Sequence, residues 1–183
     1  MGWQSKLPSG VSEAQQAGQN ITPNGAYFIA ISSTEIVVGT DPDSPSFITG
    51  LVIPSERGGF TVDSNGAVTN NTGRTIEAIT GTISFQPEKD GGVTTQLDLW
   101  SELSLDGVTW TQNQGSLRTI EISSSGETFK TSISLALNWP DGAMIRFRMF
   151  SAGSALSFIP PSATVLGGEV VTGSSAIWEL KEM

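Results

Sequence analysis

Between Thr128 and Ile159 the side chains alternate with a period of two on both sides of a tight break. Phe129, Thr131, Ile133, Leu135, Leu137 and Trp139 fall on one face, with Lys130, Ser132, Ser134 and Asn138 on the other. After Pro140-Asp141-Gly142 the pattern resumes, with Ile145, Phe147 and Met149 opposite Arg146 and Arg148. Strict alternation marks a half-buried antiparallel strand, and the Pro-Asp-Gly break supplies a turn. The pattern predicts a β-hairpin whose sheet meets a core on one side. Phe147 and Leu135 then share the core face of adjacent strands. Ser134 and Arg148 lie on the opposite face, where truncation is expected to cost no more than roughly 0.5 to 1 kcal/mol unless the side chain meets a neighbouring subunit.

The rest of the chain reads as short strands between turn signals. The expected strands are Ala26 to Ile31, Glu35 to Gly39, Phe47 to Ile53, Gly59 to Val62 with Ala67 to Thr69, Thr75 to Gln86 and Thr94 to Leu105. Val108 to Gln112, Leu117 to Ser123, the hairpin, Ala155 to Ile159 and Ser175 to Lys181 complete them. Asn65-Gly66, Asn71-Thr72-Gly73, Asp90-Gly91-Gly92, Asp106-Gly107 and Ser125-Gly126 provide the positive φ values of tight connections. Ile79, Ile83 and Phe85 share one face of their strand, and Leu97, Leu99, Leu103 and Leu105 one face of the next. Residues 1–26 form an irregular arm, in which only Ser12 to Ala17 has the makings of a helical turn, with Ser12 as its N-cap. The fold class that follows is all-β, an antiparallel β-sandwich with an irregular N-terminal arm (1–26) and one domain (27–183). Roughly eight to ten strands favour a jelly roll over an immunoglobulin sandwich, whose Cys, Trp and Cys marker is missing.

Composition narrows the chemistry. With no histidine and no cysteine, the chain lacks the residues most used for general base work near neutral pH, thiol nucleophiles and zinc ligation. No catalytic, metal or cofactor set is expected, and an enzyme reading is left only with a carboxylate pair acting on a glycosidic bond. The net charge of −9 argues against nucleic acid, whose phosphates demand a basic patch. No window approaches the roughly 18 apolar residues of a membrane span, and residues 1–26 lack a signal-peptide core, so the expectation is a protein made in a cytoplasm. Asn20-Ile21-Thr22 and Asn70-Asn71-Thr72 match a glycosylation pattern too short to carry weight.

GGFTVDSNGAVTNNTGRT (Gly58 to Thr75), ITGTISFQP (Ile79 to Pro87), the segment from Ser101 to Phe150 with its D-G turn and I-R-F-R strand, and the closing SSAIWELKE (Ser174 to Glu182) carry a resemblance. Together they resemble the trimeric jelly-roll domains of tumour-necrosis-factor and complement type found in bacteriophage head fibres, decoration proteins and tail-fibre tips. The resemblance covers about two-thirds of the chain and is one of strands and turns rather than of catalytic residues. It implies a homotrimer whose inner sheets pack around a threefold axis.

The expected role is then a virion structural protein, a homotrimeric decoration or short fibre on the exterior of a tailed-phage head. The arm grips the major capsid protein or another virion protein, with Trp3 and Leu7 as its apolar anchors. The absence of a shaft pattern favours the head over a tail fibre. The alternative is a receptor-binding fibre tip or carbohydrate-binding module contacting host surface glycan. Asp106 and Trp110, in Ser104-Leu105-Asp106-Gly107-Val108-Thr109-Trp110, resemble a sugar-contacting turn with Trp110 as a stacking face, although turn chemistry favours the plainer reading of an Asp-Gly turn with a packed Trp. Asp41-Pro42-Asp43-Ser44 has the carboxylate spacing of a calcium loop without its glycine and distal glutamate. Arg146 and Arg148 are suited to an anion or to cross-strand pairing, with Glu121, Glu127, Glu179 and Glu182 as available acids.

Overall fold

The computed structural model describes residues 26–57, 59–89, 94–113, 115–125, 129–160, 164–166, 169–171 and 174–182. The arm with Trp3, Leu7 and the turn at 12–17 lies outside the described residues, as do Asp90-Gly91-Gly92, Gly126 and Glu127. The side chains of Ile79, Ile133, Ser134, Leu135 and Leu137 also lie outside the description.

The described chain is all-β. Its strands in order are β1 (Tyr27–Ser32), β2 (Ile36–Val38), β3 (Ser46–Phe47), β4 (Leu51–Arg57), β5 (Phe60–Val62), β6 (Val68–Asn70), β7 (Ile76–Phe85), β8 (Pro87–Lys89) and β9 (Thr95–Ser104). There follow β10 (Thr111–Gln112), β11 (Arg118–Ile122), β12 (Phe129–Trp139), β13 (Met144–Ala152), β14 (Leu156–Phe158), β15 (Thr164–Leu166), β16 (Glu169–Val171) and β17 (Ala176–Glu182). One sheet runs β12-β7-β17-β1-β4; the facing sheet runs β10-β9-β13-β6-β5, with β11 also on β9 and β3 also on β13. There are two smaller sheets, β2-β14-β8 and β15-β16, among the described residues.

Alternation places the core between the two large sheets. On β1, Phe28 and Ala30 point inward, and on β17 Trp178 and Leu180 do so beside them. Ile145, Phe147 and Met149 close the core from β13. Trp178 meets Phe28 and Phe147 edge-on, with ring centroids 4.7 and 4.5 Å apart, the arrangement that the ring quadrupole favours.

The run that predicts a hairpin behaves differently. β12 pairs with β7 from Phe129↔Phe85 to Trp139↔Ile76, whereas β13 pairs with β9, from Met144↔Ser104 to Ala152↔Gln96. The Pro140-Asp141-Gly142 turn therefore carries the chain from one sheet to the other. Alternation records only which side chains meet the core, and in a sandwich both sheets turn their apolar faces to the same core. Two strands of one hairpin and two strands of facing sheets read alike. The run from Phe47 to Ile53 hides a second crossing: β3 pairs with β13, β4 pairs with β1, and Gly50 at φ 66° makes the corner between them.

Asn70 fixes the crossing at Pro140-Asp141-Gly142. Its side chain is fully buried, and Nδ2 donates to the carbonyls of Trp139 (2.8 Å) and Arg74 (2.9 Å). Oδ1 accepts from Thr72 N (3.0 Å) and Thr72 Oγ1 (2.7 Å). The Asn70 backbone donates to Ala143 O (3.0 Å) and accepts from Gly142 N (2.7 Å). Gly73 N completes the corner by donating to Asp141 Oδ1 at 2.8 Å. This burial leaves no room for a glycan at Asn70.

Two expectations fail at the end of β9. Leu105 does not join Leu97 and Leu99 in the core, and Val108 does not begin a strand; both stand exposed on the turn that follows Ser104. The alternation ends where the Asp106-Gly107 turn starts, so the apolar side chain next in sequence points to solvent.

Phe147→Ala is expected to lower stability by about 3 to 5 kcal/mol, as an aromatic lost from a packed core does. Asn70→Ala leaves the Trp139 and Arg74 carbonyls without their donor, at about 1 to 3 kcal/mol for each buried group so orphaned. Denaturant unfolding of both variants measures this. An Asn70→Ala cost below about 0.5 kcal/mol would show that the corner does not depend on the amide.

Candidate functional site

Three surface features gather the side chains of functional interest. The first lies on the outer face of the β9–β13 sheet, where Arg146, Arg148 and Glu102 point away from the core. Antiparallel register sets Arg146 directly opposite Glu102 and Arg148 opposite Trp100. Arg146 Nε donates to Glu102 Oε2 at 2.8 Å, and its Nη2 lies 2.7 Å from the same oxygen. Arg148 Nη1 stands 3.6 Å from Glu102 Oε1 while Nη2 donates to Pro45 O at 3.0 Å. The Arg146 guanidinium also lies over the rings of Trp110 (3.7 Å) and Phe47 (4.7 Å), and that of Arg148 over Phe47 (4.7 Å). One carboxylate thus contacts two guanidinium groups, which lie against the rings of Trp110 and Phe47. The acid that meets the arginines is Glu102, not one of the glutamates singled out from the sequence. Its signal was the register of two strands separated by some forty residues, which no local pattern contains.

The second feature is the Asp106 turn. Asp106 Oδ1 accepts from Thr109 N (2.7 Å) and Val108 N (2.9 Å), Ser104 Oγ lies 3.1 Å from it, and Gly107 N donates to Ser104 Oγ (2.9 Å). These bonds, that of the Thr109 N–H first, pull the Asp106 carboxyl down to about 2. Gly107 sits at φ 74°, which glycine adopts without strain. Asp106 and Trp110 are thus joined by one short turn: the carboxylate shapes it, and one face of the Trp110 ring is covered by Arg146.

The third feature is an apolar row on the outer face of the other sheet. Ile31 lies opposite both Ile177 on β17 and Val52 on β4, with Ser84 beyond Ile177. Val52 is 55% exposed and Ile177 37%. Ile29 follows on the same face of β1.

Asp41 and Glu182 serve structure. Asp41 Oδ1 accepts from Asp43 N at 2.9 Å, an Asx turn rather than a cation loop. Glu182 takes a bidentate contact from Arg74 and a bond from Ala26 N (2.7 Å), and the Arg74 bond chiefly lowers its pKa. Among the described residues no group of three or more acids is placed to hold a metal ion. Among the described residues, the acids whose pKa departs clearly from its ordinary value, Asp106 and Glu182, move downward, opposite to what a general acid requires.

No protein-family model and no curated protein sequence matches the chain. Among solved structures it is similar to the Eiger TNF of S. frugiperda, with a TM-score of 0.50 and 14% identity over 87% of this chain and 91% of that one. It is also similar to the globular domain of the zebrafish complement 1qA protein, with a TM-score of 0.44 and 11% identity over 85% and 94% of the two chains. The PRD1 vertex protein P5 aligns at a TM-score of 0.39 and 13% identity, over 86% and 93%. The fold is the jelly roll of tumour-necrosis-factor type.

Arg148 is not the dispensable outer-face residue expected from alternation, because its side chain is only 19% exposed and contacts Glu102, Pro45 and Phe47. Arg148→Ala is expected to cost about 1.5 to 3 kcal/mol, the range of hydrogen bonds to charged groups, in a denaturant titration. Asp106 supplies a pH test. Its folded pKa lies below the ordinary 3.8, so its support for the turn is present above that value and is lost as pH falls from 3.8 toward about 2. The amide resonances of Val108 and Thr109 should titrate with a midpoint near 2. A midpoint near 3.8 would mean that the turn bonds do not persist in solution.

Proposed function

We propose that this chain is a homotrimeric virion protein, a decoration or short fibre on the exterior of a tailed-phage head, held by residues 1–26 to the major capsid protein or another virion protein. The observation that carries the trimer is the row Val52–Ile31–Ile177 on the outer face of the β12-β7-β17-β1-β4 sheet. A sheet face that presents aligned branched aliphatics to water is stabilised when a second copy covers it. Closed symmetry is the ordinary way to cover such a face on every copy without open-ended growth. The tumour-necrosis-factor type of fold supports the same reading.

The head position rests on the sequence resemblance and on the arm. A role on the outside of a particle asks for a stable domain with one attachment and no chemistry. That agrees with a chain free of histidine and cysteine whose clearly shifted acids are drawn into turns and ion pairs. The reading names no enzyme activity and no cofactor.

Native mass spectrometry of the full chain is expected to report three copies, and Ile177→Arg to shift the population toward monomer by at least tenfold. Deleting residues 1–24 should leave the trimer and its melting transition intact but abolish retention on purified heads. A clean monomer at micromolar concentration would overturn the trimer. Normal head occupancy after the deletion would move attachment from the arm to the jelly roll, and glycan binding by the isolated protein would favour a receptor-binding tip.

A further inference from the structure

The turn that joins β5 to β6 runs Asp63-Ser64-Asn65-Gly66-Ala67 and sets an asparagine directly before a glycine. That order carries a reactivity of its own. A glycine nitrogen has no side chain beside it to hinder attack on the side-chain carbonyl carbon of the preceding asparagine, and the succinimide ring that forms is unstrained. Reaction needs the two atoms in near-attack geometry and the nitrogen free of its proton.

The fold withholds both conditions. Asn65 is exposed, but Gly66 beneath it is buried, and Gly66 N donates to Asp63 O at 3.1 Å. Asp63 Oδ1 accepts from Asn65 N (2.9 Å) and Ala67 N (2.8 Å), and Asp63 N donates to Ala67 O (3.0 Å). With Gly66 at φ 75°, this is a tight turn closed by a left-handed glycine. A β-carbon at Gly66 would lie 1.7 Å from Ile48 O and 3.5 Å from Leu51 Cδ1, so the main chain has no room to swing inward. Attack therefore waits for the hairpin to open.

We propose that Asn65 is a site of spontaneous deamidation that the folded turn holds shut, so that an isoaspartyl residue there records opening of the β5–β6 hairpin. In the open hairpin Gly66 N gives its proton to hydroxide and bonds to Asn65 Cγ. The Cγ–Nδ2 bond breaks, and Nδ2 takes a proton from water and leaves as ammonia. Water then opens the succinimide. Cleavage between Cγ and the Gly66 nitrogen gives an aspartyl residue, whereas cleavage between the main-chain carbonyl carbon and that nitrogen gives an isoaspartyl residue. Nothing is oxidised or reduced. The isoaspartyl main chain runs through Cβ and Cγ and is one methylene longer, and Gly66 already sits too close to Ile48 O to absorb that length. The hairpin so marked closes poorly, and it carries Phe60, packed on Phe28 and Trp139, and Asn70 at the corner between the sheets. The inference stands apart from the decoration reading.

The test incubates the full chain in mildly alkaline buffer, folded and in denaturant, and follows isoaspartate at 65 by peptide mapping. Mapping is needed because Asn24-Gly25, the other Asn-Gly pair of the sequence, lies outside the described residues. The folded chain is expected to react at 65 at least tenfold more slowly than the denatured one. Equal rates, or no product at 65 in denaturant, would overturn the proposal. Asp63→Ala, checked by thermal melting, is expected to react several-fold faster than the folded wild type, and an unchanged rate in a folded variant would refute the part given to the Asp63 bonds. If that variant does not fold, the comparison of folded with denatured wild type decides. Purified chains carrying isoaspartate at 65 are expected to unfold at lower denaturant than unmodified chains, and identical unfolding would show that the turn accepts the longer backbone.

Discussion

The buried amide of Asn70 is the constraint on which the relative placement of the two sheets depends. One side chain and its own peptide groups reach the turn after β6, the last residue of β12 and the turn into β13. Two separate crossings between the sheets are thereby held at one corner. No other residue type fits so well, because the corner needs two donors and an acceptor on one short planar group. Around this corner the aromatic core has a fixed frame. Trp139, whose carbonyl Asn70 holds, turns its indole Nε1 back to Ala143 O at 2.9 Å, so polar closure and apolar packing meet in one residue.

The outer faces of the two sheets divide the work. On the β9–β13 face Glu102 contacts both Arg146 and Arg148, whose guanidinium groups in turn cover Phe47 and Trp110. The opposite face presents Val52, Ile31 and Ile177 with no such cover.

Much of the architecture was legible in the sequence because period-two alternation is a local signal. β1, β7, β9, β12, β13 and β17 fall where alternation puts them, and Asn65-Gly66 marks a turn packed so closely on the Ile48 backbone that a β-carbon at Gly66 would lie 1.7 Å from the Ile48 carbonyl oxygen. What escaped was pairing. The hairpin from Phe129 to Met149 proved to be an arch between sheets, and the strand from Phe47 to Ile53 proved to be two, because alternation carries no information about which neighbour accepts the backbone hydrogen bonds. The sites followed the same division. Asp106 and Trp110 stood in one readable turn, whereas Glu102 and Asn70 act through partners tens of residues away, and their roles arise only when the register is closed.

The bonded meeting of Ala26 and Glu182 bears on how the domain responds to force. A pull that enters at Ala26 and leaves at the far end of the sandwich runs along β1, which is hydrogen-bonded to β17 on one edge and β4 on the other. The bonds on both edges then share the strain at once, in shear. A pull applied between Ala26 and Glu182 instead peels β1 from β17 one pair at a time, like a zip opened from its end. Resistance to forced unfolding is a matter of the barrier crossed rather than of equilibrium stability, so one domain of one stability is mechanically strong along its length and weak across the Ala26–Glu182 pair.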